Sequence, residues 1–258
     1  MATGLSREAF ETDAAPPSYG HRAQAVTAAG FLFTGGVIGV GHPDRAAEGA
    51  GRPAGDLAAQ VALCLRHMDA VTTALGGERG RVVEVSAFVA QAGGQSVVAP
   101  AVREFLGAEP PLWHYQEVAD VAGHGLIETD WIVALDRTVP LSEAVETIRP
   151  LGDLATGDQV VPSGPFAITN GVMGHGPTMA AATENAVEAM AARLGSVGAT
   201  LDAIAKMVVY IDSFDRYPEF NSTTKRLLDL DPLPTRSVLV APEVTGEAAV
   251  RVDLIAER

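Results

Sequence analysis

The chain has 258 residues, 47% of them hydrophobic and 19% charged, with a formal net charge of −14 and a pI near 4.7. That balance supports one large or two ordinary globular domains with buried cores and excludes a disordered segment, while the acidic surplus argues against a nucleic-acid or polyphosphate binder, because each phosphate contact calls for a surface cation. Cys64 is the single cysteine, which excludes an intrachain disulfide and a CxxC metal knuckle and fits a reducing cytoplasm.

Residues 1–20, MATGLSREAFETDAAPPSYG, mix acids and prolines and lack the roughly 7–15-residue apolar core of a signal peptide, so they are expected to form an N-terminal extension. No apolar run of about 18 residues follows, and no membrane span is expected. Lys206 and Lys225 are the only lysines and alanine is abundant, a bias that points to a GC-rich bacterial coding sequence.

From residue 21 the chain passes through one order of elements twice. Gln24-Ala25-Val26 opens the first pass, followed by the apolar strand Phe31–Thr34 and a turn at Gly35-Gly36-Val37. Gln159-Val160-Val161 opens the second, followed by Phe166–Thr169 and Asn170-Gly171-Val172, each position 135 residues further on. Helices are predicted over Leu57–Leu75, with Val61, Leu65, Met68 and Val71 on one face, and over Ala180–Leu194, with Val187, Met190 and Leu194; Gly76 and Gly195 are read as their C-caps. Strands over Val82–Val89 and Ala205–Ile211 come next at an offset of 122, since the Gly/Pro-rich HPDRAAEGAGRPAGD segment lengthens the first pass. Second helices fall around Val98–Leu106 and Pro218–Leu228. Each pass ends in two strands read as a hairpin, Leu112–Val118 with Leu126–Val133 and Thr235–Val240 with Ala249–Ile255.

The order β-β-α-β-α-β-β predicts an α+β domain in each half, a mostly antiparallel sheet covered on one face by two helices. Domain 1 is expected over 21–136, a polar linker over 137–150 and domain 2 over 151–258. The bare face of each sheet needs a partner, which favours an assembly.

Several of these residues resemble the YjgF/RidA family, also known as endoribonuclease L-PSP. The resemblance covers nearly the whole chain outside the first twenty residues and the inter-repeat segment. It is strongest in the second half: Thr169-Asn170-Gly171 at the family's S-G turn, Asp212 to Asn221 before the second helix, Pro234-Thr235-Arg236-Ser237 where the family reads P-A-R-S, and Val252-Asp253-Leu254-Ile255-Ala256 at the end. The resemblance implies chorismate-mutase-like domains, commonly assembled as trimers with ligand clefts between neighbours. It also implies an arginine that grips a substrate carboxylate and a glutamate that orients the water hydrolysing a 2-iminoacid to a 2-ketoacid.

Arg236 matches the family arginine, and its planar fork suits a carboxylate. Fifteen residues on, where the family has its glutamate, stands Arg251. The first repeat shows the converse, Trp113 at the arginine position and Glu128 at the glutamate position. Arginine and glutamate are thus separated between repeats unless a cleft at a domain junction takes one from each. If the closing strands are hairpins turning near Glu243–Val244 and Asp120–Val121, Arg236 and Arg251 become cross-strand neighbours about 5 Å apart at Cβ, as do Trp113 and Glu128. An anion held between Arg236 and Arg251 is then expected. The family's early tyrosine corresponds to Arg22 and Gly157, its strand-end serine to Gly35 and Asn170, and its helix asparagine to Asn221 and Ala99.

The six histidines show no HxxxH or HExxH spacing, and no metal or other cofactor is expected. His114, between Trp113 and Tyr115, is either a general base near Glu128 or a strand residue; Trp113 either stacks on a flat ligand or fills a junction. Gly39-Val40-Gly41 and Gly174-His175-Gly176 read as strand-end turns, and Cys64 as inert packing. Taken together, the expectation is a cytoplasmic homo-oligomeric enzyme, trimeric by resemblance, acting on a small carboxylate-bearing imine or enamine. Arg236 and Glu128 are its candidate catalytic pair, and Asn170, Gly171, Asn221, Ser237, Arg251, Trp113 and His114 its candidate binding residues. The alternative is a ligand-binding or regulatory protein that has lost hydrolysis, and a ribonuclease is disfavoured by the charge.

Overall fold

The computed structural model describes residues 6–41, 43–44, 53–150, 159–241, 244 and 249–258. The expected seven-element order appears in both halves. The first repeat runs β2 (Ala25–Ala28), β3 (Phe31–Thr34), α1 (Leu57–Ala74), β5 (Val82–Val89), α2 (Gln95–Leu106), β6 (Leu112–Glu117) and β8 (Ile127–Ala134), with two-residue strands β4 (Val37–Ile38) and β7 (Asp120–Val121) added. The second runs β9 (Val160–Ser163), β10 (Phe166–His175), α4 (Met179–Gly195), β11 (Ile204–Ile211), α5 (Tyr217–Leu227), β12 (Thr235–Val240) and β13 (Ala249–Glu257). Most of the HPDRAAEGAGRPAGD segment lies outside the described residues.

Each long helix starts where a side chain satisfies an orphan N–H. Asp56 accepts from Ala59 N at the head of α1, and Thr178 from Ala181 N at the head of α4. Gly76 takes the left-handed conformation (φ 76°) just beyond α1 as a C-cap glycine should. In the second repeat the helix runs through Gly195, and Gly198 (φ 79°) takes that role instead.

The hairpin expectation is corrected. In the first sheet β5 lies between β6 and β8, and in the second β11 lies between β12 and β13; β5–β6 and β11–β12 are the parallel pairs. Arg236 therefore stands beside Met207 and Arg251 beside Tyr210, on different strands with β11 between them. Likewise Trp113 stands beside Val85, and Glu128 beside Phe88. The cross-strand pairs assumed from a tight turn do not exist, because each closing strand enters the middle of its sheet.

The two sheets face one another. Helices α1 and α2 cover the outer face of the first sheet through Val61, Leu65, Met68, Trp131 and Val133; α4 and α5 cover the second through Met190, Phe220, Val209 and Leu254. The inner faces share a third core, in which Phe31 and Phe33 meet Phe166 edge-on at 5.5 Å, and a fourth around Phe88, Val121, Tyr210 and Leu239. Each such side chain contributes about 1.5–3 kcal/mol on burial, so the repeats adhere as one hydrophobic unit. The bare sheet face that called for a partner is covered by the other repeat.

Two segments expected to be accessory take part in this packing. Residues 137–150, expected as a linker, contain α3 (Leu141–Ile148), whose Ala144, Val145 and Ile148 enter the inter-sheet core. Within the N-terminal extension, β1 (Glu8–Phe10) pairs with β2, and the Arg7 guanidinium crosses to the carbonyls of Ile204 and Pro232 in the second repeat. The repeats also join along an edge, where β7 pairs antiparallel with β12 and Ala23 bridges to Thr235.

Between the sheets runs a buried polar chain. Lys206 Nζ lies 2.5 Å from Asp130 Oδ1, both side chains almost wholly buried, and the Ser237 hydroxyl donates to Asp130 Oδ2 at 2.8 Å. Glu84, on the same inner face, accepts from Ser86 at 3.0 Å. Burial pushes its carboxyl up to about 7 despite the nearby Lys206 ammonium.

Candidate functional site

Where the edge of the second sheet meets the first repeat, a cavity of about 300 Å³ opens between the two domains. The first repeat contributes Arg22, Gly36 and Glu128; the second contributes Tyr217, Arg236 and Val238. Tyr19, Ile38, Val40 and Phe214 complete largely apolar walls. Glu128 and Arg236, separated in sequence by repeat, are thus brought into one cleft inside one chain.

Arg236 is positioned by α5. It rises from β12 on the face that carries Val238 and Val240, toward the helix, and is 1% exposed. Its Nη2 donates to Asn221 Oδ1 at 2.7 Å and to the Tyr217 hydroxyl at 3.2 Å, and its guanidinium lies 5.3 Å from the Phe220 ring. Asn221 also accepts from His21 N at 3.1 Å, fixing the helix to the segment that leads into the first repeat. Arg236 Nε and Nη1 remain buried without a hydrogen-bond partner. Burial lowers its pKa to about 10, with Tyr217 acting in the opposite sense, so it stays cationic at neutral pH. A buried cation at a cavity wall attracts an anion, and the two N–H groups, closed off as the side chain stands, become donors to a ligand when that side chain shifts.

Glu128 lies on β8 beside Ile38 and Phe88, 3% exposed, with Oε2 buried and unpartnered. Burial drives its carboxyl up to about 7; the Arg22 guanidinium resists that rise and Asp130 adds to it. Ser237 touches both acids, and its hydroxyl has one proton to give. Its contact with Glu128 favours the ionised carboxyl and, with Arg22, partly offsets the effect of burial. The acid is therefore poised near neutrality, where a general acid or base works best.

Gly36 makes room for this acid. A Cβ there would lie 1.7 Å from Glu128 Oε1 and 2.6 Å from Ser237 Oγ. Gly36→Ala is expected to push Glu128 from its place, lowering any turnover by about tenfold or more while costing about 1–3 kcal/mol of stability. Steady-state rates set beside a denaturant titration check this; a fully active Gly36→Ala protein would show that the contact does not matter.

The other expected residues are placed as follows. Ser237 and Asn221 support the two central side chains. Asn170 and Gly171 form a bulge in β10, where Gly171 (φ 68°) donates its N–H to Asp253 Oδ1 at 2.6 Å; they do not line the cavity. Their counterparts 135 residues earlier, Gly35 and Gly36, occupy the strand end that faces Arg236. Arg251 is also outside the cavity: it pairs with Asp253 at 2.9 Å and lies 4.4 Å from the Tyr210 ring on the inner sheet face. The expected anion between Arg236 and Arg251 is thereby overturned. Trp113 stacks on Tyr115 against the first repeat's helical core. His114 packs 5.8 Å from Phe88 between the sheets, where burial lowers its pKa, and neither it nor Trp113 lines the cavity. Buried Cys64 donates to Val37 O and its thiol is pushed up by burial, as inert packing requires.

Arg22, Tyr217 and Gly36 were missed as site residues. The sequence marks Arg22 only as a departure from the family's early tyrosine. No group of three or more His, Cys, Asp or Glu able to hold a metal ion occurs among the described residues, and no described helix is long and apolar enough to cross a membrane.

Comparison with known proteins gives the same duplication. The family model described as endoribonuclease L-PSP matches twice, at residues 12–135 and 141–258. No curated protein matches the chain. Among solved structures, the yjgF gene product of E. coli is 25% identical, covering 49% of this chain and 98% of its own, with a TM-score of 0.44. E. coli TdcF, solved with bound serine, is 22% identical over 49% of this chain and 98% of its own (TM-score 0.44), and yeast Mmf1 is 16% identical over 50% and 98% (TM-score 0.45). Each spans one repeat's worth of this chain. With two family matches that together occupy nearly its whole length, the chain belongs to the endoribonuclease L-PSP, or YjgF/RidA, family as a tandem two-domain member.

Proposed function

We propose that the inter-repeat cleft hydrolyses a small imine or enamine that carries a carboxylate. The observation that carries this reading is the convergence of Arg236 and Glu128, one from each repeat, on a single largely apolar cavity. Arg236 holds the substrate carboxylate through its unsatisfied N–H groups. Glu128 takes a proton from water as the oxygen attacks the imine carbon and returns it to the nitrogen; it then takes the proton of the new hydroxyl as the C–N bond breaks, releasing ammonia and the 2-ketoacid. A protonated imine is electrophilic without further activation, so positioning and one proton relay suffice. The trimer and the cytoplasmic setting suggested by resemblance and by the lone cysteine remain part of this proposal; a cleft built from both repeats of one chain is complete within a single chain.

Ammonia release from freshly generated 2-iminobutyrate tests the reading. Accelerated release of ammonia with formation of the ketoacid supports it. No acceleration, together with thermal stabilisation by 2-ketoacids, would favour a ligand-binding protein instead.

The same mechanism sets a pH dependence. Glu128 must be ionised to accept a proton, so kcat/KM is expected to rise with pH and level off above about 7. Because the Arg22 charge favours the ionised form, Arg22→Gln is expected to move the inflection upward. A pH–rate profile that stays flat over about three units around the inflection, from about 5.5 to about 8.5, would contradict the assignment of Glu128.

A further inference from the structure

The cavity contains a second guanidinium that a single carboxylate does not use. Arg22, just ahead of β2, lines the cavity that holds Arg236, and its charge disfavours that of Arg236. Arg22 is anchored by neutral groups: Nε donates to Tyr19 O at 3.1 Å and Nη2 to Gly36 O at 3.0 Å. These bonds fix the plane of the guanidinium without neutralising it, leave its counter-charge to Glu128 when that acid is ionised, and do not use Nη1, which lies against Gly35.

The acids in its neighbourhood have other bonds. Glu11 accepts from Gln24 N at 2.8 Å and from the Ser18 hydroxyl at 2.9 Å, and Asp130 is held by Lys206 and Ser237. Among the described residues Glu128 is the one acid lining the cavity, and in its protonated form it brings no charge. The cleft thus carries one to two net positive charges in a protein whose overall charge is −14. Two like charges facing one small apolar cavity are stabilised by an anion that spans them.

We infer that the cleft takes a dicarboxylate, a 2-imino or enamine acid with a second carboxylate, its first carboxylate on Arg236 and its second on Arg22. This rests on the carboxylate-binding reading above and adds the substrate class. A carboxylate fits better than a phosphate, because the cavity lies at the small end of the roughly 300–1,000 Å³ range of ligand sites and Arg22 keeps one nitrogen outside these bonds, too few donors for a tetrahedral oxyanion.

Calorimetric titration of the full chain with 2-oxobutyrate, 2-oxoglutarate and phosphoenolpyruvate tests this. The wild-type protein is expected to bind 2-oxoglutarate at least tenfold more tightly than 2-oxobutyrate, and Arg22→Gln to bring that ratio close to one. Arg22→Lys, which keeps the charge, is expected to restore part of the preference and guards against a folding defect in the glutamine variant. Equal wild-type affinities for the two ketoacids, or a ratio untouched by Arg22→Gln, would overturn the dicarboxylate and leave the carboxylate cleft standing. Tighter binding of phosphoenolpyruvate than of 2-oxoglutarate would also overturn it, assigning the second anion as phosphate. Failure of every ligand to bind would sink the underlying reading itself.

Discussion

Glu128→Gln is expected to lower ammonia release by about 10²–10⁴-fold and at the same time to make the protein more stable at pH 8. Glutamine keeps the shape of the side chain and its contact with Ser237 but cannot relay a proton. The gain in stability follows from the position of the acid. Its folded-state pKa is near 7, whereas an unfolded glutamate titrates near 4.5, so between those values the folded chain binds more protons than the unfolded one. Stability from this group is therefore full below about pH 4.5 and is lost as pH rises through 7, a loss of about 3 kcal/mol. Glutamine does not titrate and escapes that loss. The variant should thus gain on the wild type steadily from pH 5 to pH 8 in urea denaturation. If the two differ by a constant amount at every pH, Glu128 does not have the perturbed acidity on which the proposed chemistry depends.

Lys206→Met is expected to be the most damaging single substitution in the inter-sheet layer, costing about 3–5 kcal/mol. Its ammonium is 2% exposed and lies 2.5 Å from Asp130, with Glu84 close by on the same inner face. Removing it strands two acids in a dry interface without a cation. At roughly 2–4 °C per kcal/mol for a chain of this size, the melting temperature should fall by about 10 °C. Glu84, no longer held down by the ammonium, then favours protonation more strongly, so acidification from about pH 7.5 to about 5.5 should recover part of the loss. Adding Asp130→Leu, which replaces the charge pair by apolar volume, should recover more at neutral pH. A Lys206→Met protein with unaltered melting behaviour would show that the pair contributes little to joining the repeats.

The repeat, its element order and most element boundaries could be read from the sequence, because apolar periodicity and turn residues are local signals. Phe31–Thr34 and Thr235–Val240 form strands with the expected limits, and the helices agree to within a few residues. Strand neighbours could not be read in the same way. Nothing local in Thr235–Val240 or Ala249–Glu257 announces that Ile204–Ile211 inserts between them, since all three are buried runs, half-buried Arg251 aside, without an alternating exposed face. That one error produced the false Arg236–Arg251 pair.

The separation of Arg236 from Glu128 was visible as a fifteen-residue spacing broken differently in each repeat, and their reunion was open as a junction cleft. Choosing that outcome required knowing that the β12 edge docks on Ala23 and β7 of the other repeat, a tertiary fact. Arg22 became legible only once the cavity existed, because a lone arginine before a strand has no periodic signature.

The face-to-face union of the repeats means that duplication here produces one asymmetric crevice whose two jaws have different owners. Each repeat is free of the residue that its sibling supplies: Trp113 joins the first helical core where an arginine would have stood, and Arg251 braces Asp253 where an acid would have stood. Neither half alone, nor a ring of identical halves, can rebuild the whole crevice.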